Sequence, residues 1–598
     1  MKPTIDILEE RISAAMVAAV GRDDCAAIVR PSTDPKFGDY QANGVMALAK
    51  KVKTNPRKLA EEVVKSLDLD DICEPPEVAG PGFINLRLKP EFLADRLLEI
   101  NKHIASLGID KAAVPKTIVV DFSSPNIAKQ MHVGHLRSTI IGDCICRTLK
   151  FLGHNVIRQN HIGDWGTQFG MLCALFRDKT TAEDIEEFKK IEDEWLSDDE
   201  ILKDIEAFYR EAKQKYDSDE DFAADARDAI AGLQKGQEYW KKYWQAIVGV
   251  SESHYMEIYR NLGVTLRDKD IRGESAYNDD LPVVVDELKE AGLAKESDGA
   301  ICVFPEGFKN KEGDPLPFII CKSDGAYLYA TTDLAALRYR VNELKANAII
   351  YVTDARQKLH FEMLFAVAKM AKWVSDDIEL SHVMFGSVLG EDGTPLKTRA
   401  GENVKLKELL DEAVERAKSV VEEKNPNFSE DKKKQIAKAV GVGAVKYADY
   451  SNNRTSDYVF SFDKMLAMDG NTAPYMQYAY ARIKSIERKA KDKKVSIEDE
   501  LAGLQTLSLT EPAELDLAKY LIRYGEAIQA AIADYRPNYL TAYLFELAQK
   551  FSVFYTNCPV LKAEPGKRPT RLLLCDLTAK TIKHGLSELL GIEVVEQM

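Results

Sequence analysis

Residues 121–143 read DFSSPNIAKQMHVGHLRSTIIGD. The chain has only nine histidines, and two of them, His132 and His135, flank Gly134 where an apolar run ends and a helical pattern begins. Upstream, TIVVDF (117–122) has the unbroken apolar character of a strand buried on both faces. Downstream, the spacing predicts a helix from about 134 to 152, ended by Gly153. NVIRQNHIGD (155–164) repeats the arrangement, as a strand running into the glycine turn GDWGTQFG (163–170). Strand, turn and helix repeated in this way predict a doubly wound, Rossmann-like parallel sheet. In such a sheet ligands sit beyond the carboxyl ends of the strands, where the next helix aims its free N–H groups. His132, Gly134 and His135 fall there. Glycine admits a planar group close to the backbone and imidazoles donate to phosphate oxygens, so the expected occupant is a nucleoside triphosphate. The short pattern alone also fits two surface histidines at a helix start.

The strand pattern returns at AIIYVT (348–353) and HVMFGSVL (382–389), with the helix HFEMLFAVAKMAK (360–372) between them. The sheet therefore closes across a long gap. That gap holds a helical insertion, about 175–290, whose charged stretch EDIEEFKKIEDEWLSDDE (183–200) is expected to be a solvated helical face. Before the sheet, residues 1–110 predict a small α/β domain with a short strand at VAGPGFINLRL (78–88). The catalytic unit is expected over 111–465. From 466 to 598 the pattern is an all-helical bundle, broken by a charged connector (488–500) and the loop AEPGKRPTR (563–571).

A composition of 45% hydrophobic and 30% charged residues is that of a soluble globular chain. A net charge of −15 excludes a uniformly basic nucleic-acid binder but leaves local basic faces open. The start, MKPTIDILEERIS, lacks a basic end followed by an apolar core, so no secretory signal is expected, and no apolar run of about 18 residues predicts a membrane span. Nine cysteines without a CxxC pair predict a reducing, cytoplasmic setting and no zinc, with Cys144 and Cys146 buried.

The stretch SSPNIAKQMHVGHLRSTIIGD resembles the HIGH region of class I aminoacyl-tRNA synthetases, and in detail the arginyl-tRNA synthetase family. GDYQAN (38–43), GPGFIN (80–85), GDWGTQFG (163–170), YATTD (329–333), YVTDARQ (351–357), LKTRAGENVKL (396–406), NTAPYMQYAYAR (471–482) and FYTNCPVL (554–561) follow that family's motifs in order. The resemblance implies activation of L-arginine by ATP with Mg²⁺, and transfer of the arginyl group to tRNA(Arg). It implies a monomer whose arginine activation requires bound tRNA. The chain departs from the class pattern at the second signature, KMSK: PLKTRAG puts Thr398 where a lysine belongs. Relatives with this loss carry a lysine just upstream of the histidines, where Lys129 stands. Catalysis is accordingly expected from Lys129, His132 and His135, with Gly134, Lys397, Thr398 and Arg399 also at the ATP.

A guanidinium presents its donors in a rigid planar fork, which calls for carboxylates and acceptors around that plane. By resemblance these are Asp121, Tyr329, Asp333 and Gln357, with Ser124, Asn126 and His132 holding the amino acid's other end. Tyr329 and Asp333, four residues apart, share a helix face. Tyr478, Tyr555 and Met598 match positions that meet the anticodon loop, and Asn85 one that meets the D-loop. A nucleotidylyltransferase shares the histidine pattern but leaves the C-terminal helices unexplained. A cysteine-activating enzyme would want thiolate zinc ligands. A catalytically dead RNA-binding paralogue would have no need of the histidines and Lys129.

Overall fold

In the computed structural model, which describes residues 1–127, 129–180, 205–397 and 404–598, the apolar run after Lys116 forms the strand Thr117–Asp121. It pairs in parallel with Asn155–Gln159 on one side and Ala348–Tyr351 on the other, and Glu379–His382 completes the sheet. Successive side chains point to opposite layers. Ile118 and Val120 enter the core that includes the helix Val133–Phe151, while Val119 enters the core shared with Tyr329–Asn342 and Lys358–Met370. Both faces are covered, which is why the strand lacks a polar alternation. The register brings Gln159, Asp121, Tyr351 and His382 into one row at the carboxyl edge.

The helix after the first strand spans Val133–Phe151, and Gly153 follows with φ 92. Cys144 and Cys146 are buried in it. At 382–389 the expected single strand is instead two short ones, Glu379–His382 and Val388–Leu389. The polypeptide leaves the sheet at Val383 and starts a new pairing with Tyr458–Val459. The gap is helical at Ile205–Ser218, Glu220–Gln234, Glu238–Leu262 and Leu281–Glu290, and an antiparallel three-stranded sheet over 294–321, which periodicity did not signal, follows it. The charged stretch 183–200 lies outside the described residues.

The N-terminal unit is a four-stranded antiparallel sheet, of which the motif at 78–88 supplies two strands, Glu77–Ala79 and Phe83–Leu86. Strands of three or four residues carry too little periodicity to be read from sequence. After 470 the described structure is helical. The charged connector is largely helix as well, since Ala473–Asp492 runs into it and Ile497–Ala502 follows. The terminal units meet directly: the Tyr40 hydroxyl donates to Glu526 at 2.7 Å, and Lys519 pairs with Asp39 at 2.9 Å.

Candidate active site

Where the first strand ends, Ser123 and Ser124 take the left-handed conformation, at φ 73 and 46. Such backbone costs on the order of 1–3 kcal/mol per residue and needs surrounding support. That support is buried. Ser123 N donates to Ser138 Oγ at 2.9 Å and its hydroxyl is hydrogen-bonded with Thr139 and Tyr259, while Ser124 N donates to Asn160 Oδ1 at 2.9 Å. The turn carries Asn126, exposed, over Gly163, where a β-carbon would collide with the Asn126 carboxamide.

The helix that follows begins at the histidines. His132 is its N-cap: its Nδ1 accepts from Gly134 N at 3.0 Å, and His135 Nδ1 accepts from His132 N at 3.1 Å. The two rings lie 4.1 Å apart. Because each Nδ1 is an acceptor, the Nε2 of each ring is the proton donor. Burial and the neighbouring His132 push the His135 pKa down to about 3, so it stays neutral through physiological pH. A β-carbon on Gly134 would sit 2.7 Å from the His132 ring, so the planar group that requires this glycine is the imidazole itself.

Lys129 is exposed, with Nζ 5.4 Å from the centre of the Tyr209 ring on the helical insertion. Lys397 is exposed at the start of the signature loop, and Thr398 and Arg399 lie outside the described residues. The far stem of that loop is stapled to the histidine segment: Val133 N donates to Val404 O at 3.0 Å and Leu406 N to Met131 O at 2.8 Å.

Asp121 and Asp333 form an acidic cluster around the buried Tyr351. One oxygen of Asp121 accepts from the buried Arg340 at 2.7 Å and the other from Ser124 Oγ at 3.0 Å; Arg340 also donates to Gln159. Asp121 is thus already neutralised by an internal guanidinium, although a carboxylate retains further lone pairs for a substrate. Asp333 accepts from His360 Nε2 at 2.7 Å and faces His161 at 3.8 Å. Tyr329, 62% exposed, lies 5.0 Å from the same His360 ring, so the face shared by Tyr329 and Asp333 is capped by one histidine. Gln357 is exposed at the end of the turn Ala355–Gln357, which Asp354 caps through Arg356 N at 2.8 Å.

Glu274 is a pocket residue that the motifs did not indicate. Its only sequence signal is the short run RGES (272–275) between helical stretches. The buried Asp164 holds this turn by accepting from Ser275 N and Oγ, at 2.8 and 2.6 Å. Burial, Asp333 and Asp164 push the Glu274 pKa up to about 8. At neutral pH this carboxyl is therefore largely protonated, and a guanidinium bound against it would expel that proton. Binding that releases a proton strengthens as pH rises. The affinity for L-arginine is expected to increase from pH 6 to about 8 and then level off. Titration calorimetry in buffers of different ionisation enthalpy checks this, and a binding enthalpy independent of buffer would refute it.

Among the described residues no group of three or more His, Cys, Asp or Glu is gathered so that it could hold a metal ion, and no helix is long and apolar enough to cross a membrane. At the C-terminal end, Tyr478 is 43% exposed whereas Tyr480 on the same helix is buried. Tyr555 is half-buried, with the Arg482 guanidinium 4.6 Å from its ring centre. Met598 packs partly against a small core formed by Ala417, Val421 and Ile436. Asn85 is buried in the N-terminal sheet, its carboxamide oxygen accepting from Gln41 Nε2 at 2.8 Å.

Residues 101–462 match the family model of the class I tRNA synthetase (R) catalytic domain. The chain belongs to the arginyl-tRNA synthetase family. Residues 6–88 match the arginyl-tRNA synthetase N-terminal domain and 476–598 the DALR anticodon-binding domain. The chain is 49% identical over 596 residues to an arginine–tRNA ligase of Chromobacterium violaceum, covering 99% of each. It is 50% identical over 593 residues to one of Haemophilus influenzae, again covering 99% of each. A crystal structure of the arginyl-tRNA synthetase from Plasmodium falciparum superposes over all of both chains with a TM-score of 0.83 at 32% identity. The arginyl-tRNA synthetase of Thermus thermophilus does so at 0.79 and 25%.

Proposed function

We propose that the chain activates L-arginine with ATP and transfers the arginyl group to the terminal adenosine of tRNA(Arg). In the first step a carboxylate oxygen of arginine attacks the α-phosphorus, the bond from that phosphorus to the oxygen of the β-phosphate breaks, and pyrophosphate leaves with the electron pair. In the second, a hydroxyl of the terminal ribose attacks the arginyl carbonyl, loses its proton and displaces AMP. Catalysis of such displacements is mainly positioning and stabilisation of developing charge. His132 and His135 donate from Nε2 to the phosphates, with Gly134 keeping the first ring against the backbone and Lys129, Lys397, Thr398 and Arg399 adding donors. Mg²⁺ arrives on the triphosphate, which supplies most of its ligands, and neutralises phosphate charge there.

Asp121, Asp333, Tyr329 and Gln357 surround the guanidinium, with Glu274 as a further carboxylate, while Ser124, Asn126 and His132 hold the amino and carboxylate end. Tyr478, Tyr555 and Met598 meet the anticodon loop, and the strand carrying the buried Asn85, which holds Gln41, meets the D-loop, in units dividing near 110 and 465. A monomeric, cytoplasmic working form goes with this reading. The observation that carries it is a family match along the full chain, supported by the paired histidines at the helix start and the acidic cluster of Asp121 and Asp333 around Tyr351. Charging of tRNA(Arg) with labelled arginine tests it: labelling by arginine but not lysine is expected, and no charging, or equal charging by lysine, would overturn it.

The pocket yields a sharper expectation. Asp333→Asn retains shape and an acceptor for His360 but removes a charge facing the guanidinium. Charge-assisted hydrogen bonds contribute about 1.5–3 kcal/mol, so the arginine KM should rise roughly 10- to 150-fold while the ATP KM changes little. Equal changes in both would make Asp333 structural.

A further inference from the structure

We infer that Lys405 is a further phosphate-binding residue of this active site, adding positive charge from the far stem of the signature loop to that of Lys129. The inference rests on the proposed reaction and assigns a further residue to it.

The backbone geometry points to this. His132 and Lys405 are direct partners in an antiparallel bridge. The flanking hydrogen bonds, Val133 N to Val404 O and Leu406 N to Met131 O, make them a pair that does not exchange bonds with each other. In that kind of pair the Cα atoms approach to about 4.5 Å and the two side chains leave the same face. Burial alternates in step on both segments. Met131 and Val133 are buried, as is Leu406, and Val404 packs against the same core. His132 and Lys405, between them, are both turned to the opposite side and only half-buried. The Lys405 stem therefore emerges beside the imidazole that donates to the phosphates.

Local preference runs against a lysine here. Lys405 is the N-cap of the helix Leu406–Lys424, provides no side-chain cap, and places a cation at the positive end of the helix dipole. Serine, threonine or aspartate would serve the helix better. In the proposed reaction His132 donates to the phosphates, and an ammonium rising on the same face is suited to the β- and γ-phosphates of ATP, or to departing pyrophosphate.

The test is arginine-dependent ATP–pyrophosphate exchange by the full chain with saturating tRNA(Arg), comparing the natural protein, Lys405→Gln and Lys405→Arg. Lys405→Gln should lower the exchange rate roughly 10- to 150-fold, with the arginine KM and the melting temperature nearly unchanged and the pyrophosphate KM raised. Lys405→Arg should recover much of the rate. Exchange by Lys405→Gln within about twofold of the natural protein would overturn the inference and leave the proposed function standing. So would equal defects in the glutamine and arginine variants, or a loss that follows a lowered melting temperature, because each marks a role in folding. Absence of exchange in the natural protein would remove both.

Discussion

Mixed with arginine, ATP and labelled pyrophosphate but without tRNA, the enzyme is expected to incorporate negligible label into ATP, and adding tRNA(Arg) should switch the exchange on. The resemblance implies this order of events, and the helix Val133–Phe151 offers a physical route for it. Its first turn carries His132 and His135. Its far end is held by the C-terminal region and by the end of the insertion: Arg147 donates to Ser587 O at 3.4 Å and to Gly263 O at 2.7 Å, and the Phe151 and His584 rings lie 4.3 Å apart. The Tyr450 hydroxyl donates to Ile140 O at 2.8 Å in the middle of the same helix. Lys446 joins the end of the insertion to the C-terminal segment through Leu262 O at 2.7 Å and Gly591 O at 2.6 Å. RNA bound to the C-terminal helices would thus act on elements packed directly against the helix that begins at the histidines. A ligand shifts such a unit only through different affinities for its arrangements. Exchange without tRNA at a rate near that with it would sink the expectation.

The second large effect is expected at Lys129. Lys129→Ala should slow adenylate formation by about 10²–10³-fold, the scale for losing one transition-state donor. Its ammonium lies 5.4 Å from the centre of the Tyr209 ring. An exposed cation–π contact contributes only about 0.5–1 kcal/mol, which a phosphate readily outcompetes. Tyr209→Ala should therefore leave the rate almost unchanged, since it removes the ring and not the donor. Single-turnover measurement of adenylate with tRNA present separates the two variants. A near-normal rate for Lys129→Ala would return that side chain to solvent and leave the phosphates to the histidines and the loop stem.

Much of the active-site geometry follows from local spacing. Residues 117–121 could be read as a buried strand because their apolar run is unbroken, and the histidines could be placed at its carboxyl end because the turn-forming stretch SSPN separates strand from helix. The shared face of Tyr329 and Asp333 follows from helical periodicity, and both side chains meet His360. Periodicity was silent about the short antiparallel strands of the N-terminal unit and of 294–321. It also merged Glu379–His382 with Val388–Leu389, because the apolar character continues through Val383 and Phe385 although the pairing partner changes.

The sequence by itself determined the parallel sheet, the position of His132, Gly134 and His135 at the start of the helix after its first strand, the threonine at 398, and, through its ordered motifs, the family. These depend on contacts between residues close in the chain, or on patterns that survive without coordinates. Only the tertiary structure decided which charges confront one another. Arg340 reaches Asp121 across 219 positions, Ser275 fixes Asp164 across 111, and the pairing of Lys405 with His132 joins segments that no local pattern connects. The reason is physical: a charge's behaviour depends on its burial and on neighbours within a few ångströms. The chain assembles those neighbours from distant segments only when its cores pack.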